Sequence, residues 1–249
     1  MTPQQIEEYQ FFAREKLGFE FKNINLLITA LTHRSYVNEH KASDKEHNER
    51  LEFLGDAVLE LVTSDFLYRN YNEPEGIMTA WRSALVRTES IGESGEALGY
   101  EPLVRLSKGE KHGSSRAHAV ILADCFEAVI GAIYLDQGYD TAREFIDKWI
   151  LSKLGRILKE GSWRDPKSYL QELAQHHDSA TPSYKVLGEE GPDHDKTFTV
   201  GVYVGKQLKG QGTGHSKQEA EGNAASEGVK GYLKLQEREK SAKGAKAAK

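Results

Sequence analysis

A single cysteine, Cys125, in 249 residues leaves no partner for an intramolecular disulfide and suits a reducing compartment. No stretch reaches about 20 uncharged apolar residues, so no segment is expected to span a membrane. The opening MTPQQIEEYQ is acidic and lacks the basic and apolar regions of a signal peptide, so a cytoplasmic protein is expected. An excess of positive charge is missing too. There are 33 Lys+Arg against 38 Asp+Glu, a formal net charge of −5, which argues mildly against a nucleic-acid partner. What is present is globular: 38% hydrophobic with 29% charged residues excludes a disordered or collagen-like chain. The length suits one large or two modest domains.

The charge is unevenly spread. Residues 1–164 carry 20 basic and 26 acidic groups, a net of −6, whereas residues 165–249 carry 13 and 12, a net of +1. The periodicity changes at the same place. Apolar residues recur at helical spacing over 4–17, 24–32, 48–70, 78–98, 117–137 and 140–158, with Gly18, Gly76, Gly99 and Gly138 as stops. Strand-like alternation is scarce there, so an all-α domain is expected over 1–158. GRILKEGSWRDP interrupts the pattern, and 159–165 read as a linker. Asp165-Pro166 is then an N-cap and first helical residue ahead of KSYLQELAQHH. PSYKVLG, KTFTVGVYVG and KQLKGQGTG read as three short strands, with Phe198, Val200, Val202 and Val204 on one face of the middle one. A last helix starts at Ser216, where Glu219 completes a capping box, and runs to about Leu235. Residues 166–235 are therefore expected to form a small α+β domain of order α-β-β-β-α. Residues 236–249, rich in Lys and small residues, are expected to be a basic, disordered tail.

The carboxylates of the first half stand in unusual places. In NERLEFLGDAVLELVTSDFLY (48–68), Leu51, Leu54, Val58, Leu61 and Val62 make an apolar stripe expected to be buried. Glu52, Asp56 and Glu60 form a second stripe at i, i+4, i+8, where like charges repel by about a few tenths of a kcal/mol per pair. A solvated face would account for that helix alone. In AVILADCFEAVIGAIYL (119–135), however, Asp124 and Glu127 are the only charged residues of a helix that is apolar all round and should be central. Buried carboxylates need a partner, either a Lys or Arg from elsewhere or a cation. Two such helices with paired acids are a way to build an oxygen-rich metal site. With no His or Cys at ligand spacing, that site favours Mg²⁺ or Mn²⁺ over Zn²⁺, and the absence of Glu-x-x-His pairs argues against di-iron. Metal-assisted phosphoryl hydrolysis is the chemistry such a site suggests.

These segments also carry a resemblance. HNERLEFLGDAVLELV is similar to the signature of the ribonuclease III endonuclease domain, and ILADCFEAVIGAIYLD to its second acidic motif. ALTHRSYVNEH (30–40) and LVRLSKGEK (103–111) fit the same family, and NERLEFLGDA is highly specific. The α-β-β-β-α half resembles the double-stranded-RNA-binding domain that follows the nuclease in the bacterial enzymes. The resemblance implies a homodimeric endoribonuclease that hydrolyses double-stranded RNA with Mg²⁺, for which Mn²⁺ may substitute, and needs no small-molecule cofactor. It would leave 5′-phosphate and 3′-hydroxyl ends with short 3′ overhangs and process ribosomal and other structured precursor RNAs. Carried onto the matching positions, Glu52, Asp124 and Glu127 would be metal ligands, with Glu127 also catalytic. Asp56 would hold a metal-bound water or otherwise act directly in catalysis. Glu49 would be a supporting acid, or else a local salt-bridge partner of Arg50 or Lys45. His33 is read as a hydrogen-bonded core or cap histidine, and Cys125 as a small hydrophobe.

For the second half the resemblance implies RNA contacts from Gln171, Glu172 and Gln175 of the first helix, His194 in GPDHDKTF, and Lys217 at the start of the last helix. Polar groups would meet 2′-hydroxyls across the minor groove and cations would meet phosphates. Gln218 and Glu221 depart from the pattern by standing where positive charge is common, and Gly222, Gly228 and Gly231 should each weaken that helix by up to ~1 kcal/mol. The alternatives are an idle RNA-binding or ribosome-associated relative, disfavoured by the four intact carboxylates, and a phosphohydrolase of small substrates, disfavoured by the second domain.

Overall fold

The first half is built from helices that end where the sequence stops them. α1 (Pro3–Phe12) opens on a capping box between Thr2 and Gln5 and runs into one π-helical turn, Ala13–Leu17, which closes on Gly18 in the left-handed region. Asn23 caps α2 (Ile24–Ala30) and His33 caps α3 (Arg34–Glu39), a short helix that the periodicity did not announce. α4 (Glu49–Asn70) is followed by α5 (Glu75–Val86) and α6 (Thr88–Leu98), where a single helix over 78–98 was expected. The break falls at Arg87, whose extended ψ of 148° turns the chain between two apolar faces that the sequence runs together. α7 (Ser115–Gln137) starts on a Ser114 cap and ends at Gly138. α8 (Tyr139–Trp149) and α9 (Leu154–Glu160) follow, separated by one 3₁₀ turn.

The computed structural model describes residues 1–40, 46–192 and 196–247, and it forms two units, Met1–Ile157 and Leu158–Lys249. α7 is the axis of the first unit, packed against α2, α4, α6 and α8. Leu122, Cys125, Phe126, Val129, Ile130 and Ile133 along it are all buried. Its Ala117–Gln137 stretch is long and apolar enough to cross a bilayer by length and composition, contrary to the expectation that no segment is. Here it serves as a core helix, and Asp136 at its end accepts backbone N–H bonds from Lys22 and Asn23, both at 2.8 Å.

The second unit has α10 (Pro166–Asp178), then β1 (Pro182–Glu190), β2 (Thr197–Val204) and β3 (Gln207–Gly214) in an antiparallel sheet of that order, then α11 (Lys217–Ala247). Asp165 caps α10 as expected, accepting from Ser168 N–H at 2.8 Å. Val200, Val202 and Val204 line the core with Leu170, Leu173, Ala224 and Tyr232. The glycines of GQGTG explain how the last helix reaches the sheet. Gly210, Gly212 and Gly214 pair with Val202, Val200 and Phe198, and a Cβ on any of them would overlap the α11 backbone between Ala220 and Gly228. Gly228 is a contact rather than a mere weakness: its bare Cα receives the Leu170 side chain.

Two expectations fail here. α11 does not stop near Leu235 but continues to Ala247, through residues expected to be disordered; Ala and Lys are strong helix formers and the helix is already nucleated. Its capping box is also shifted by one residue, since Ser216 Oγ accepts from Glu219 N–H but the Glu219 carboxylate accepts from His215 N–H.

Candidate active site

The four motif carboxylates meet where α4 crosses α7, and glycine makes that crossing close. A Cβ on Gly55 would overlap the backbone carbonyl oxygen of Glu127, and one on Gly131 would overlap that of Leu51. With no side chain at either position the two backbones touch. Glu52 and Asp56, one turn apart and flanking Gly55, are thereby set beside Asp124 and Glu127. Gly55 and Gly131 are not among the residues nominated from the sequence, although glycines inside two otherwise strong helical patterns mark them.

Glu52, Asp124 and Glu127 are half-buried and Asp56 is exposed, so they are not sealed in the core as expected. Burial, then repulsion from Asp56, Glu52 and Asp124, pushes the Glu127 carboxyl up to about 8. Burial, then Asp124, Glu49 and Asp56, pushes Glu52 up to about 7. Asp124 is raised as well, again chiefly by burial, with His33 pulling the other way. Among the described residues no ion pair or hydrogen bond neutralises any of the four.

Their neighbours differ. Glu60, in line with Glu52 and Asp56, pairs with Arg82 at 3.0 Å. Glu49 pairs with Arg34 at 3.3 Å and lies 3.8 Å from His47, neither of which the sequence nominated; Lys45, one of the two expected partners, lies outside the described residues. His33 is a cap: its Nδ1 accepts from Ser35 N–H and lies 2.8 Å from Ser35 Oγ. Cys125 is fully buried, its thiol pushed well up by burial, and Asn48 Nδ2 donates to its Sγ at 3.6 Å. Asn48 was also overlooked. Its backbone N–H bonds to Thr32 while its side chain reaches Cys125, so it fastens the start of α4 beside Asp124.

This donor set fits a hard divalent cation: oxygen ligands only, with charge that no Lys or Arg among the described residues offsets. Among the described residues no three His, Cys, Asp or Glu side chains are gathered as a ready-made cage.

In the second unit, Gln171, Glu172, Gln175 and Lys217 are all exposed, and His194 lies outside the described residues. Lys167 in the first turn of α10 bonds Glu221 in the second turn of α11 at 2.6 Å, which ties the two helices together near their starts. Glu172 is held by Arg164 at 3.1 Å. Lys217 lies 3.6 Å from Glu189 and over the Phe198 ring.

The sequence matches a family model described as Ribonuclease-III-like over residues 23–154 and one described as Double-stranded RNA binding motif over 166–231. Ribonuclease 3 of Listeria monocytogenes is 45% identical over 215 residues, 85% of this chain and 93% of that protein. Ribonuclease 3 of Enterococcus faecalis is 43% identical over 220 residues, 87% and 94%. A solved nuclease domain of ribonuclease III from Campylobacter jejuni is 36% identical, covers 55% of this chain and 96% of its own, and has a TM-score of 0.49.

Proposed function

Since the chain belongs to the ribonuclease III family and is an endoribonuclease of double-stranded RNA, we propose that Glu52, Asp56, Asp124 and Glu127 are its catalytic centre and that Mg²⁺ is its ion. One observation carries this: four carboxylates share the α4–α7 crossing with no described counter-charge. The family is divalent-metal dependent. Glu52, Asp124 and Glu127 would hold the cation, and Mn²⁺ could replace Mg²⁺ on the same oxygens. A cation there would lower the pKa of water and offset charge on the attacking and leaving oxygens. Asp56, the exposed member, orients the attacking water through a carboxylate oxygen and takes up its proton. Glu127, at the crossing itself, also acts at the scissile phosphate, and Glu49 supports Glu52 from one turn away. Attack at phosphorus expels the 3′ oxygen, which takes a proton from solvent, and gives 5′-phosphate and 3′-hydroxyl ends.

The second unit would hold the duplex. Gln171, Glu172 and Gln175 present polar groups to 2′-hydroxyls, with His194 from the β1–β2 loop, and Lys217 meets phosphate at a helix N-terminus. Phe53, Leu61 and Tyr68 project from α4 into solvent at 80%, 58% and 77% exposure. Leu61 had been expected in the core. An apolar surface of that kind suits a second copy of the chain, so the enzyme acts as a homodimer whose two centres cut opposite strands and leave short 3′ overhangs. Its substrates are ribosomal and other structured precursor RNAs in the cytoplasm, and it needs no small-molecule cofactor and no membrane.

Incubation of an end-labelled RNA duplex tests the reading. Cleavage should require Mg²⁺, stop on chelation, and give 5′-phosphate ends with a 3′ overhang. Undiminished cleavage in excess chelator would overturn the metal assignment, and 3′-phosphate products the direction of attack.

A further inference from the structure

In the second unit one acidic residue holds two cations. The Glu189 carboxylate, near the end of β1, lies 3.6 Å from Lys217 Nζ and 3.6 Å from Lys196 Nζ. The sheet brings these groups together. Glu189 is opposite Phe198 in β2, and Phe198 is opposite Gly214 at the end of β3, two residues before α11 begins its cap. Lys217 Nζ also stands 5.5 Å over the Phe198 ring, so the ammonium is drawn toward the sheet from two sides. This is the cation at the α11 N-terminus, where backbone N–H groups and the helix dipole already favour an anion. Lys196 precedes β2 directly after the β1–β2 loop. Two lysines at this end of the sheet, one of them at the α11 N-terminus, therefore share one carboxylate.

Resting on the reading of this unit as the duplex-binding one, we propose that Glu189 is an intramolecular competitor for RNA phosphate. Its carboxylate engages Lys217 and Lys196 when no RNA is bound, and duplex binding exchanges those ion pairs for phosphate contacts. Glu189 thus sets affinity without touching RNA itself. Lys217 and Glu189 side chains are 59% and 39% exposed, so each pair is weak and the exchange is easy. The expected effect is accordingly a tuning of affinity and not an on–off switch.

The test is binding of a labelled perfect RNA duplex to the full chain in chelator, where nothing is cut. Glu189→Gln should tighten binding by about 2- to 5-fold. Glu190→Gln makes the same change in net charge one residue on, at an exposed position on the other side of the strand, and should give a smaller gain. In a Lys217→Met background the gain from Glu189→Gln should shrink, as coupled partners require. Equal gains from Glu189→Gln and Glu190→Gln, or a gain undiminished in Lys217→Met, would overturn the proposal. If the wild-type chain bound no duplex at all, the reading beneath it would fall, and the proposal with it.

Discussion

The α4–α7 crossing of the first unit and the whole of the second unit handle negative charge in opposite ways. At the α4–α7 crossing, Glu52, Asp124 and Glu127 are pushed above the ordinary carboxylate range, chiefly by burial, and with Asp56 they meet no described Lys or Arg. In the second unit Glu172, Glu189, Glu221, Glu227 and Asp178 each have a Lys or Arg within 3.6 Å. The first arrangement costs stability and is kept where a cation from outside can offset it. The second satisfies its charges internally and so leaves fewer cations for an RNA backbone. The net charge that argued against nucleic acid is therefore a statement about two different chemistries averaged together.

The sharpest way to break the contrast is to remove one of the unpaired carboxylates. Glu127→Gln should lower single-turnover cleavage of a duplex in Mg²⁺ by about 10²–10³-fold, the scale on which one group stabilising transition-state charge acts. Duplex binding in chelator should be retained, since the proposed RNA contacts lie in the other unit. Full-rate cleavage would sink the assignment.

Glycine gives a comparison of opposite sign. Gly55→Ala forces a Cβ into the Glu127 carbonyl and should destabilise the first unit by about 1–3 kcal/mol or more, with loss of cleavage. Gly222→Ala, in α11 with nothing within 4 Å of the new Cβ, should stabilise the second unit by up to about 1 kcal/mol. Denaturant melts of the two variants measure both. A tolerated Gly55→Ala would mean that the helices do not approach as closely as the structure places them.

How much of this was legible beforehand depends on whether the cause was local. Helix periods, the Asp165-Pro166 start, the β2 face and the two acidic pairs lie within single segments, and each could be read there. The fate of Glu60 could not: it sits in register with Glu52 and Asp56, and only the packing of α4 on α5 gives it Arg82. Leu61 reads as core from its spacing, yet it is 58% exposed, since spacing along one helix does not say which of its sides a neighbour covers. Arg87 divides two apolar helices with neither Gly nor Pro to mark the place. Gly55 and Gly131 were visible as letters, but their meaning is a distance between two helices 76 positions apart in sequence.

Metal and pH probe the same crossing more gently. Glu127 and Glu52 retain protons in the folded protein, up to about 8 and 7, that the unfolded chain releases near 4.5. The folded state binds more protons across that window, so in chelator its stability should fall as pH rises from about 5 to 8. The fall should be on the order of a few °C in Tm, smaller in Glu127→Gln, and reversed by Mg²⁺ at pH 8. A wild-type slope no steeper than that of Glu127→Gln would remove the electrostatic basis for the ion site.

The smallest effect falls in the paired unit, and its size is itself informative. Lys217→Met removes one phosphate contact but also releases Glu189 from a partner. Loss of a single contact should flatten the log–log salt dependence of duplex binding by a little under one unit. The affinity change should stay within several-fold, because an exposed cation already shared with a carboxylate has less to give up than a free one. Salt titration of binding, wild type against Lys217→Met, measures the slope directly. An unchanged slope would place Lys217 outside the phosphate track, and the paired unit would then bind RNA through the polar face of α10 and the groups beside β2 without it. A full-unit change with a large loss of affinity would instead show that Lys217 acts as an unshared cation, and the contrast between the two units would lose its second half.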